Sequence, residues 1–219
     1  MKRKNLEKIV NALTLIFVII GLVVMFNFNS DDNELVSHGV ENFKYFTVLS
    51  NVFCGIVAFS SLNFDILSII TNKEYEGMDS RFKLMKLIST SAVGLTFFTI
   101  ALFLWPIYRL QGMYSGSNLF FHLFVPVLAM IDFALIDGGE KIPFRYTFFA
   151  MTPSIIYGTF YLANILINGK GEWPYTNDWY GYLNWGYPVG ALIFAVSSLV
   201  TWLVACVLRL ISNKNIKNI

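Results

Sequence analysis

Charge is what this chain has little of. Only 14% of its residues are charged against 56% hydrophobic, where an ordinary water-soluble domain carries about 25% charge. That shortage excludes a freely soluble globular domain, in keeping with a mean hydropathy of +0.59. Cysteine is nearly missing: Cys54 and Cys206 are the only two, and both fall inside hydrophobic runs. A disulfide framework and a thiolate metal motif are therefore excluded, and packing is the role left to them. The only histidines are His38 and His122. No cluster has metal-ligand spacing, so no metal and no cofactor are expected. A haem between paired imidazoles is disfavoured because His38 lies in a polar loop. The net charge of +2 is dispersed over several loops, which gives no footprint for nucleic acid. There is no internal repeat, and the two halves do not echo one another as an inverted-repeat transporter would.

What the chain does have is apolar runs of about 18 residues or more, the length that crosses a hydrocarbon core. They predict an all-α, polytopic membrane protein that is a single domain over residues 1–219, with six spans near 9–28, 44–62, 87–105, 119–136, 146–167 and 184–211. The first run follows Lys2, Arg3, Lys4 and Lys8 as a secretory signal would. It is too long for one and ends without small residues for cleavage, so it reads as a retained helix. Asn63 to Thr71 is an interfacial turn or extra helical length. Asn72 to Lys86 mixes both signs of charge and reads as a solvated connection, Pro106 stops the third span, and Asp137-Gly138-Gly139 forms a turn.

Six spans put both termini on one side. Lys44, Arg109 and Lys170 are the only basic residues on the other side, so thirteen of the 16 lysines and arginines share the side of the termini. The positive-inside rule makes that side the cytoplasm. The loop from Gly169 to Tyr187 holds Trp173, Tyr175, Trp179, Tyr180, Tyr182, Trp185 and Tyr187. Such side chains prefer the headgroup level, so this loop is expected to lie on the membrane as a cover, anchoring or caging.

Two stretches resist explanation by apolar packing. In the second span Thr47, Ser50, Asn51 and Cys54 recur at i, i+3, i+4 and i+7, a small polar stripe that must face protein or water. In the fourth, His122 lies near the start of the run, with Pro126 one turn on to loosen its carbonyl. Counted from Lys44 and Asn118 at 1.5 Å per residue, Thr47 and His122 both lie about 5 Å below the outer ends of their helices. A hydroxyl and an imidazole at matched depth form an activated nucleophile if the helices are neighbours. Asn51, and less readily Ser50, could serve as polar support or oxyanion donor. Asp132 is a second polar site, about ten residues deeper, free to pair with Lys or Arg near the cytoplasmic face or with a neighbouring amide. Asp65 reads as structural at an interface, and His38 as solvated.

Tyr45-Phe46-Thr47-Val48-Leu49-Ser50-Asn51, Phe121-His122-Leu123-Phe124-Val125-Pro126 through Asp132-Phe133, and Trp173-Pro174-Tyr175 resemble the androgen-induced and androgen-dependent TFPI-regulating protein family, in its bacterial branch. The resemblance covers most of the chain from Phe43 onward. It implies a multi-pass hydrolase of fatty acid esters of hydroxy fatty acids or similar lipid esters, with Thr47 as the threonine nucleophile and His122 as its histidine. Lipid ester and membrane lipids are then the expected partners, and the bacterial cytoplasmic membrane the expected location. A second reading is a transporter or lipid-binding protein with a polar path through His122, Asp132 and Asn164.

Overall fold

In the computed structural model, which describes residues 2–27, 39–71, 80–108, 111–138, 140–172 and 175–217, six helices are long and apolar enough to cross a membrane. They are Arg3–Asn27, Phe46–Phe64, Arg81–Leu104, Gly116–Ile136, Tyr146–Asn168 and Tyr187–Ile216, and the described residues contain no strand. His38, Arg109, Trp173, Pro174 and the Asp65 side chain lie outside the described residues. The second helix runs on to Thr71, so the stretch after Leu62 is extra helical length. The sixth continues to Lys217.

The third span corrects one expectation. Its helix starts at Ser80, several residues ahead of the apolar run, and carries Lys83 and Lys86 into the bundle, where they are 1% and 3% exposed. These residues are no solvated connection. Three acidic partners, Glu7 on the first span, Asp132 on the fourth and Asp137 just past its end, replace the water that would otherwise hold the ammonium groups.

Pro106, just past the third span, and Pro126, within the fourth, share a local device. The third span ends at Leu104, ahead of Pro106, but the helix continues: Pro106 sits in a helical turn, Trp105–Tyr108, that follows a π segment, Thr99–Leu104. Pro126 likewise follows a π segment, Phe120–Phe124. A proline in a helix interior has no N–H to give and crowds the carbonyl a turn before it. Widening the preceding turn to i→i+5 bonding accommodates both problems without ending the helix.

The third span is the most enclosed and packs against the second, fourth and sixth. The first packs against the second and fourth, and the fifth against the sixth. Apolar layers run the length of the bundle: Leu87, Phe133 and Leu208 near the end that bears the termini, Val18, Val93 and Val125 in the middle, and Met25, Val48 and Phe121 towards the other end. Gly21 permits a close approach of the first and fourth spans, because a Cβ there would stand 2.6 Å from the Phe121 ring.

At the terminal end the Asp137–Arg145 connection is held by the sixth helix. Asn213 donates from Nδ2 to the Ile142 carbonyl and accepts the Ile142 N–H, each at 2.9 Å, and Arg209 Nε donates to the same carbonyl at 2.8 Å. At the opposite end the aromatic loop forms a roof. Tyr161 donates to Asp178, whose other oxygen accepts the Leu183 N–H at 3.0 Å, and Trp179 Nε1 donates to Tyr157 Oη at 3.0 Å. Tyr157 in turn donates to the Lys44 carbonyl at 2.6 Å, and Tyr180 Oη accepts the Phe46 N–H at 2.9 Å, tying the roof to the start of the second span. Desolvation among the roof's rings holds the Tyr180 phenol well above the usual tyrosine range, so it remains a neutral hydroxyl.

Candidate functional site

Pro126 explains how the second and fourth spans are joined. The Phe121 carbonyl has two potential donors in its own helix. Its i+4 donor, the Val125 N–H, is bonded to Phe120 in the π register, and its i+5 position is Pro126, which has no N–H. A carbonyl orphaned in this way inside a membrane bundle must find a partner elsewhere. Asn51 supplies it: Nδ2 donates to the Phe121 carbonyl at 3.0 Å and to the Thr47 carbonyl at 2.7 Å. One amide therefore links the backbone of Thr47 to that of the residue before His122. The two spans are in contact, at the depth of both candidate residues.

Both hydrogens of that amide are committed, so in this conformation Asn51 has none left for an oxyanion. It is a clamp. Its Oδ1 is buried and makes no hydrogen bond. Ser50 Oγ donates to the Thr47 carbonyl at 3.0 Å, so the polar stripe of the second span converges on one backbone oxygen.

His122 is 5% exposed. Its Nδ1 lies 2.6 Å from the Met113 carbonyl, which can only accept, so in the neutral ring Nδ1 carries the proton and Nε2 keeps its lone pair. Met113 belongs to a 3-10 turn, Gln111–Tyr114, that Asn118 steadies by donating to the Gly112 carbonyl at 2.9 Å. The loop thus folds onto the start of the fourth span, and Gly116 makes that possible with a φ of 53°. Among the described residues no hydrogen bond joins the Thr47 hydroxyl to the imidazole. What the structure brings together is the two stretches of backbone and the orienting carbonyl. Reasoning from side chains had no means of finding Met113, because its function here uses a main-chain oxygen.

Asp132 lies in a separate, deeply buried group at the terminal end. Lys86 Nζ is 2.7 Å from Asp132, 3.0 Å from Glu7 and 3.6 Å from Asp137. Asn11 Nδ2 donates to Asp132 at 3.3 Å and to the Glu7 carbonyl at 2.9 Å. Lys83 approaches Asp137 at 3.8 Å, and Arg3 donates to the carbonyls of Leu135, Ile136 and Asp137 at the end of the fourth span. Three cations thus stand among three anions, which is how a low-dielectric interior tolerates charge. A small polar space of about 20 Å³ adjoins this group beside Thr14, Ser89 and Thr90, large enough for a water molecule. Lys86 was missed because a basic residue ahead of an apolar run reads as a loop, although Lys83, Lys86 and Thr90 keep helical spacing.

A cavity of about 490 Å³ lies on another face of the second span. Phe46, Leu49, Ser50 and Phe53, again at i, i+3, i+4 and i+7, form one wall; the fifth span from Pro153 to Asn164 forms the other, and Trp179 of the roof closes the top. Neither Thr47 nor His122 lines it. Asn164 is engaged with Asn177 at 3.1 Å, so His122, Asp132 and Asn164 each belong to a different hydrogen-bonded group. Among the described residues no group of three or more His, Cys, Asp and Glu side chains could hold a metal. The chain matches no family model, no curated protein and no solved structure.

Proposed function

We propose that this chain is an intramembrane hydrolase of lipid esters in which Thr47 is the nucleophile and His122 the base. The observation that carries the reading is the fixed tautomer of His122: the Met113 carbonyl takes Nδ1–H, leaving Nε2 as a proton acceptor. The Asn51 clamp supports it by tying Thr47 and the fourth span at one level. The reaction class comes from the resemblance carried by the Thr47 and His122 motifs.

In this reading Nε2 removes the Thr47 hydroxyl proton while Oγ1 attacks the ester carbonyl. The carbon–alkoxy bond breaks, the alcohol leaves with the proton held by His122, and an acyl-threonine remains. Water then attacks the acyl carbon and gives its proton to Nε2. The bond to Oγ1 breaks, Thr47 regains a proton, and a fatty acid departs. Both termini would face the cytoplasm of a bacterial cytoplasmic membrane, as the basic residues favour, and water would reach the pair from the outer side.

The test is covalent labelling of the purified protein in detergent with a fluorophosphonate probe. Wild type is expected to label, and Thr47→Ala and His122→Ala to lose labelling while retaining their unfolding temperatures. Equal labelling of Thr47→Ala would remove the nucleophile. A transport assay in which Asp132→Asn is as damaging as His122→Ala while Thr47→Ala is mild would favour the transporter reading instead.

A further inference from the structure

We infer that the 490 Å³ cavity between the second and fifth spans is a binding site for one acyl chain of an anionic phospholipid, with Lys44 holding the phosphate. The site is separate from the Thr47 and His122 pair and does not depend on hydrolysis.

The occupant follows from what lines the cavity and from which polar groups are already committed. Its walls are apolar rings and aliphatic chains at the level of membrane spans, and a cavity of this size is typical of a ligand site. At about 30 Å³ for a water-sized group, it has room for on the order of 16 methylenes, one chain and not two. The polar side chains around it are nearly all spent. Trp179 donates to Tyr157, which donates to the Lys44 carbonyl, Tyr161 bonds Asp178, Asn164 bonds Asn177, and the Ser50 hydroxyl bonds the Thr47 carbonyl. Lys44 is the exception. Its ammonium lies 3.9 Å from a largely exposed Glu41 carboxylate and over the Tyr45 ring, contacts that leave room for a better acceptor.

A long apolar volume with one available cation at its mouth selects an amphiphile with an anionic head. The side of the cavity identifies the source. Leu49, Ile156 and Phe160 at its rim are 41%, 51% and 73% exposed, so in a membrane the opening faces hydrocarbon. A phospholipid of the surrounding bilayer enters by that side with one chain and leaves the other outside. The roof blocks entry from above, where Trp179 and Tyr157 are bonded together.

Trp179 lines the cavity and reports on it. The protein is placed in nanodiscs of unlabelled phosphatidylcholine doped with phospholipid brominated at mid-chain, and quenching by brominated phosphatidylglycerol is compared with that by brominated phosphatidylcholine at equal mole fraction. The difference between wild type and Trp179→Phe isolates this residue's signal. We expect phosphatidylglycerol to be preferred roughly two- to fivefold, the preference to vanish in Lys44→Gln, and Lys44→Arg to keep it. Ile156→Phe narrows the opening and should weaken quenching by both lipids. Equal quenching by the two lipids in wild type would mean ordinary annular contact and would overturn the proposal, and so would an undiminished preference in Lys44→Gln. Because the readout is fluorescence, loss of fluorophosphonate labelling with quenching intact would count against the hydrolase alone.

Discussion

The two ends of the bundle solve the same problem, polar groups in a low-dielectric medium, in opposite ways. At the terminal end, charges are buried and made to neutralise one another around Lys86. At the roof end the groups are mostly neutral, phenols and amides and carbonyls, each donor matched to an acceptor, and the one buried carboxylate among them, Asp178, is held by Tyr161, the Leu183 N–H and Lys170 at 3.7 Å. The difference lies in what removal of one member does. A charge group that loses a partner keeps an uncompensated ion inside the protein, whereas a neutral network loses about one bond. The terminal end is thereby a rigid clasp of the first, third and fourth spans, and the roof end is where a site can afford loosely held groups.

The largest effect should come from breaking the clasp. Lys86→Met leaves Glu7, Asp132 and Asp137 facing one another and is expected to cost about 3–5 kcal/mol, read as a fall in unfolding temperature in detergent. The Lys86→Met, Asp132→Asn double variant should be less destabilised than the sum of the two single changes; strict additivity would show that the pair is not coupled.

Next is the Asn51 clamp. Asn51→Leu keeps the branched shape but leaves the Phe121 carbonyl unpaired beside Pro126, with an expected loss of about 1–3 kcal/mol. Fluorophosphonate labelling should fall as well, since the second and fourth spans are no longer tied at Thr47. Unchanged stability would mean that the carbonyl finds another donor.

Smaller again is the roof. Tyr180→Phe removes the acceptor of the Phe46 N–H and should cost about 1 kcal/mol, detectable as faster amide exchange at the start of the second span. If its effect equals that of Lys86→Met, the contrast between the two ends fails. The smallest change is Glu41→Gln, which removes a long, exposed ion pair. Its effect on unfolding should stay within about 0.5 kcal/mol.

Thr47 and His122 were legible as candidates because each is a polar residue inside an apolar run at a depth set by counting along the helix. Their relation was not legible. It depends on the Phe121 carbonyl, released by a π turn that Pro126 induces, and on a Met113 carbonyl brought down by a loop. Lys86 shows the converse failure: a charged residue beside an apolar run was assigned to solvent, and only the acidic groups facing it from two other helices make its burial possible.

By itself the sequence determined the number of long apolar helices, the polar stripe of the second span and that Pro126 would break the hydrogen bonding ahead of it, because each follows from residues close together in the chain; it pointed to the His122 carbonyl, and the π register frees that of Phe121 instead. Tertiary structure decided which carbonyl Asn51 reaches, which anions surround Lys86 and where a cavity remains between the second and fifth spans. Those depend on which helices become neighbours and at what rotation, and a backbone oxygen or an empty volume leaves no mark in the order of the side chains.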